Sequence, residues 1–100
     1  MGMTLTELTD RMHEFVRSQG WYEPDSARPQ TVRNLAASLA IEAAEVLEHV
    51  QWGDGPRDAK AFREELADVQ LYLLQLASIS GISLEEAVLE KLEKNEGRRW

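Results

Sequence analysis

The sequence contains no cysteine, only three prolines and six glycines in 100 residues. Without thiols, disulfide staples and thiolate metal sites are excluded, so any metal centre must be built from oxygen or imidazole nitrogen. No apolar run approaches the roughly 18 residues of a membrane span, and no secretory leader is visible, so a cytoplasmic location is the expectation. Positive charge is also scarce: 11 Lys and Arg stand against 18 Asp and Glu, for a net charge of −7. With no basic run, the chain is poorly suited to grip a nucleic acid polymer or an anionic membrane directly. It suits a protein that meets polyanions through metal ions and a few local cations. A Gly-rich phosphate loop, a Ser/His/Asp arrangement and the Glu-x-x-His pair of di-iron bundles are all missing.

What is present reads as a single all-α domain spanning residues 1–100, with four helices and no strand. Thr4 with Glu7 forms a capping box that opens a helix through about Ser18, with Leu5, Leu8, Met12, Phe15 and Val16 inward and Gly20 as its stop. Pro24 and Pro29 mark a loop over Trp21–Gln30. The second helix runs from near Thr31 to about Trp52, where Gly53-Asp54-Gly55-Pro56 breaks it. The third spans roughly Asp58 to Ser80 and stops at Gly81; Ser83 with Glu86 then opens a fourth, as a second capping box, to about Asn95.

Glu42-Ala-Ala-Glu45 and Glu65-Leu-Ala-Asp68 carry the chemistry. Carboxylates three residues apart share a helix face, so each pair is able to converge on one point. In the second helix Leu35, Leu39, Val46 and Val50 fall within an arc about 60° wide, and Glu42 lies about 20° outside its edge, with Glu45 on the flank beside Ser38 and His49. In the third, Phe62, Val69 and Leu76 define the stripe; Glu65 lies along it, Tyr72 beside it and Asp68 on its flank. Solvated acids should instead lie opposite the stripe, as Glu48 and Glu64 do. A carboxylate on the apolar side needs a partner, and four of them suit a hard cation such as Mg2+, Mn2+ or Ca2+. The competing arrangement is an ion-pair network with Arg33, Arg63 or a C-terminal lysine.

Lys91, Asn95 and Arg98 recur at helical spacing within a cationic C-terminal segment that ends in Arg99, and are candidates to hold phosphate oxygens. The plainer reading is that these cations complement a helix C-terminus. Trp21, Trp52 and Tyr72 lie near the acidic motifs in sequence and are candidates to stack on a flat base, with core filling as the alternative. His49, four residues after Glu45, is within reach of it or occupies an ordinary surface position; His13 is ambiguous. The third helix also carries Ala67, Leu71 and Leu74 nearly opposite its main stripe. Helices apolar on two faces are central or buried against another subunit, so a homo-oligomer through the second and third helices is expected unless helices one and four shield that face.

The ordered set Arg33-Asn34-Leu35, Glu42-x-x-Glu45, Gln51-Trp52, 19 intervening residues between the two acidic motifs, Glu65-x-x-Asp68 with Val69-Gln70-Leu71-Tyr72, and Lys91-x-x-x-Asn95-x-x-Arg98 resembles the all-α nucleoside triphosphate pyrophosphohydrolases, the MazG-like and dCTP pyrophosphatase group. The resemblance covers about residues 31–98. It implies a four-helix bundle completed as a homodimer or homotetramer, with Mg2+ or Mn2+ held by Glu42, Glu45, Glu65 and Asp68. It implies hydrolysis of a nucleoside triphosphate, deoxy- or non-standard, between the α- and β-phosphates. Glu42 or Glu45 would accept the water proton, Lys91 and Arg98 would hold pyrophosphate, and Trp21, Trp52, Tyr72 and Asn95 would contact base or sugar. The dCTP-preferring members have a histidine shortly before the Arg-Asn-Leu element, where this chain has Pro29-Gln30-Thr31-Val32. Alternatives are a phosphoribosyl-ATP pyrophosphohydrolase-like enzyme and a non-catalytic nucleotide- or metal-binding helical module.

Overall fold

Local capping chemistry sets most of the helix boundaries. The computed structural model describes residues 2–98, which form α1 (Leu5–Ser18), α2 (Val32–Val50), α3 (Ala59–Ile79) and α4 (Leu84–Glu96), with no strand among them. The Thr4 hydroxyl accepts from Glu7 N while the Glu7 carboxylate accepts from Thr4 N, both at 3.1 Å, which is the full reciprocal box. Thr31 caps α2 and Asp58 caps α3 by accepting backbone N–H groups of the first turn. At α4 the Ser83 hydroxyl accepts from Glu86 N at 3.4 Å, but the return bond from Glu86 is absent, so the expected box is half made.

Two helices end on the same device. Gly20 and Gly81 have φ of +75° and +73°, and Trp21 N and Ile82 N reach back to the carbonyls of Val16 and Ala77. This is the Schellman stop, in which a left-handed residue satisfies the last carbonyls and the following apolar residue folds onto the helix. α2 ends two residues before the expected Trp52, and Arg57 N closes the α2–α3 loop onto His49 O at 3.0 Å.

α2 and α3 pack along each other as the main pair, α1 lies against α3, and α4 touches α1 and α3. The buried apolar core is Met12, Val16, Leu35, Leu74 and Ala77. Around it Ile41, Leu47, Leu66, Leu71, Val88, Leu89 and Leu92 are exposed. On the second apolar face of α3, Leu74 is buried whereas Ala67 and Leu71 stay exposed, so α1 and α4 shield that face only in part. The radius of gyration is 15.8 Å, against about 13 Å for a compact domain of this length. None of the described helices is long and apolar enough to cross a membrane.

Candidate active site

Packing α2 on α3 brings three carboxylates together. Glu42 and Glu45, one turn apart on α2, and Glu65 on α3 each offer an oxygen within 4.8 Å of the others. Glu65 is 9% exposed, and its Oε2 is buried with no hydrogen-bond partner. Its Oε1 stands 3.6 Å from His49 Nε2, and the His49 ring is set edgewise to Phe62. Neither Arg33, Arg63 nor a C-terminal lysine is ion-paired to any of the three acids among the described residues, so the network through them is not formed.

The titration of the cluster follows from this crowding. The Glu42 carboxyl is pushed up from an ordinary 4.5 to about 8, first by its hydrogen bond with Glu65, then by burial and by Glu45. Glu65 is held below its ordinary value because the hydrogen bond from Glu42 favours its charged form, and that outweighs its burial; Glu45 and His49 act in the same direction. Carboxylates crowded in this way stand where positive charge is favoured. Three hard oxygen donors and one buried oxygen without a partner fit a divalent cation such as Mg2+ or Mn2+.

Asp68 is not part of the trio. It follows Glu65 by one turn, is exposed, and lines a neighbouring cavity of about 700 Å3 instead. The α1–α2 loop contributes Trp21, Arg28 and Gln30 to that cavity, α2 contributes Asn34 and Ser38, and α3 contributes Asp68, Tyr72 and Gln75. The Arg28 guanidinium lies 5.3 Å from the Trp21 ring centroid, and Phe15 meets Trp21 edge-on at 5.7 Å. Trp21 and Tyr72 thus give the cavity aromatic walls.

The remaining candidates lie elsewhere. Trp52 sits in the α2–α3 loop, 85% exposed, and lines neither the cavity nor the acidic cluster. Lys91 and Arg98 are exposed, and Arg98 lies beyond the last residue of α4, so helical spacing does not carry it onto the Lys91 face. Asn95 is half-buried, with its Oδ1 buried and unpartnered. Arg99 is outside the described residues.

Sequence reading missed the approach of His49 to Glu65 and the polar lining of the cavity by Arg28, Gln30, Asn34 and Gln75. The signal for His49 was its spacing of seven and four from Glu42 and Glu45, which puts all three on one side of α2. For Gln75 it was a position three residues beyond Tyr72 on the α3 face that starts at Glu65. Nothing local marked Gln30, which reaches the cavity from a loop.

Residues 30–99 match the MazG nucleotide pyrophosphohydrolase domain. The chain is 35% identical over 98 residues to human dCTP pyrophosphatase 1 and 32% identical to the mouse protein of that name. Each match takes in 88% of this chain and 55% of the relative, so the chain spans about half the length of these relatives. Among solved structures, a pyrophosphatase from Archaeoglobus fulgidus superposes with a TM-score of 0.72 at 37% identity, over 96% of this chain and 92% of that one. With an acidic helix pair beside an aromatic cavity and a match over most of its length, the chain belongs to the MazG nucleotide pyrophosphohydrolase family.

Proposed function

We propose that this chain hydrolyses a nucleoside triphosphate, deoxy- or non-standard, to the monophosphate and pyrophosphate, and that it depends on Mg2+ or Mn2+. The observation that carries this reading is the convergence of Glu42, Glu45 and Glu65 next to a cavity with aromatic walls. Glu42, Glu45 and Glu65 would hold the cation, with Asp68 completing the set from the cavity side. When bound, the cation supplies charge neutralisation for the triphosphate and lowers the pKa of water at the site.

The chain's own residues divide the remaining work. A carboxylate not fully committed to the cation, Glu42 or Glu45, would accept the proton of the water that attacks the α-phosphorus. Trp21 and Tyr72 receive the base, since aromatic faces stack on any nucleobase. Arg11 and Arg28 bring positive charge to the cavity. The dCTP pyrophosphatases among the relatives make a deoxycytidine nucleotide the first substrate to try. Lys91 and Arg98 as pyrophosphate contacts, and Trp52 and Asn95 as base or sugar contacts, require the loop and C-terminal helix of this or a second copy to approach the cavity. The exposed apolar residues of α2 and α3, and the extended radius of gyration, support assembly as a homodimer or homotetramer.

The deciding experiment is phosphate release from a panel of ribo- and deoxynucleoside triphosphates, coupled to inorganic pyrophosphatase, with and without Mg2+. Mg2+-dependent release that needs the coupling enzyme supports the reading. Phosphate released without it would mean cleavage at a different bond, and no release from any nucleotide would sink the assignment.

A further inference from the structure

At the end of the cavity away from the acids, five side chains are ordered by hydrogen bonds whose direction is set at one point. The Arg28 carbonyl only accepts, and Gln30 Nε2 donates to it at 2.6 Å. Gln30 must then present its Oε1, which accepts from Gln75 Nε2 at 2.8 Å. The other Nε2 hydrogen of Gln75 goes to the Tyr22 hydroxyl at 3.2 Å. With its oxygen accepting there, Tyr22 donates its own hydrogen to His13 Nδ1, and His13 Nε2 donates to Ser78 Oγ at 2.7 Å. This direction needs a neutral His13, and burial, followed by the nearby Arg17, lowers the affinity of the ring for a second proton.

One atom is left over. Gln75 is 3% exposed, both of its N–H groups are used, and its Oε1 has no hydrogen-bond partner among the described residues. Gln75 lines the cavity, and with Nε2 engaged its Oε1 is the polar atom of that side chain left for an occupant. Glu65, Asp68, Tyr72 and Gln75 share an arc of about 80° on α3, and Gln75 lies about 15 Å along the axis from Glu65. That is comparable to a nucleotide stretched from its phosphates to the far edge of its base. An amide turned the other way would leave Gln30 Oε1 facing a second acceptor, so the orientation is not interchangeable.

We propose that Gln75 reads the base, its Oε1 accepting a hydrogen bond from the exocyclic amino group of a 4-aminopyrimidine or 6-aminopurine and disfavouring the matching carbonyl base. Gln30 and Tyr22 act as positioning residues that hold the amide in this orientation. The inference rests on the nucleotide reading above and adds to it the chemical class of base.

The test measures binding of dCMP against dUMP and of dAMP against dIMP by calorimetry, and separately kcat/KM for the corresponding triphosphates. Each pair differs by an amino-for-carbonyl exchange, which also turns the adjacent ring nitrogen from acceptor to N–H donor. The wild type should favour the amino member by about tenfold or more, because the carbonyl member sets two acceptors against each other. Gln75→Leu should bring the ratios to within about threefold of unity. Tyr22→Phe should lower the ratios by a smaller factor, and it decides the matter if Gln75→Leu does not fold. A wild-type preference for the carbonyl members, ratios unmoved by either variant, or no nucleotide binding at all would overturn the proposal. Hydrolysis with unmoved ratios sinks only the role of Gln75, whereas discriminating binding without hydrolysis sinks only the enzymatic reading.

Discussion

The two ends of the α3 face that carries Glu65 and Gln75 handle buried polarity in opposite ways. At the Glu65 end, three carboxylates crowd together, one buried oxygen goes without a partner, and a proton is retained to relieve the repulsion. At the Gln75 end, the hydrogen bonds of neutral side chains form a continuous chain from the Arg28 carbonyl to Ser78. The first arrangement offers three crowded oxygen donors that a cation would relieve. The second is settled before any ligand arrives, so it costs nothing to reorganise and is fitted to discriminate. A single helix thus supports a crowded acidic cluster at one end and an ordered set of neutral hydrogen bonds at the other.

The largest expected effect breaks the acidic end alone. Glu42→Gln should lower kcat by about 10²- to 10⁴-fold, the range for loss of a general base, while circular dichroism shows the helices intact. Wild-type turnover in that variant would dissociate the cluster from catalysis. Next, Mg2+ at about a hundredfold over its Kd should raise the melting temperature by more than about 10 °C, since binding to the folded state alone contributes about 2.7 kcal/mol. Glu65→Gln should reduce that shift, and Gln75→Leu should leave it in place. An equal loss in both variants would show that the two ends are not separable.

Tyr72→Ala sharpens the comparison from the other side. Losing an aromatic wall should raise KM by about tenfold, in line with about 1–3 kcal/mol per stacked base, without altering the Mg2+ response. A further test is the pH dependence of stability. With the Glu42 carboxyl raised to about 8, the folded state binds more protons than the unfolded chain between 4.5 and 8. Stability of the metal-free protein should therefore fall as pH rises through that window. Glu65, lowered in the fold, is ionised in both states over most of that window and opposes the slope only at its acid end. Melting curves from pH 5 to 8 should show the decline in the wild type and a flatter profile in Glu42→Gln; a wild-type melting point that rises with pH would contradict the shared proton.

Helix boundaries were largely legible because they are written in short-range chemistry. Thr4, Thr31, Asp58 and Ser83 each accept from a backbone N–H within three residues, and Gly20 and Gly81 supply the positive φ that ends α1 and α3. The second helix was read too far, to Trp52, because its last residues are compatible with a helix and only the closure of Arg57 onto His49 shows where the chain turns. The acids were visible as two pairs of equal spacing, yet the pairs meet different fates: Glu42 and Glu45 both join the cluster, whereas Glu65 joins it and Asp68 does not. Spacing along one helix fixes the angle between two side chains, about 60° in each pair, but not which of them faces the neighbouring helix.

The order of residues alone therefore decided the all-helical character, the caps, and the presence of carboxylates on the apolar sides of α2 and α3, because each depends on contacts within about one helical turn. Only the tertiary structure decided that three acids rather than four converge, that His49 approaches Glu65, and that Gln30, Tyr22, His13 and Ser78 fix the orientation of Gln75. Those outcomes depend on the rotation and register of α3 against α2 and α1, which are set by interlocking side chains far apart in the chain and leave no mark at short spacing.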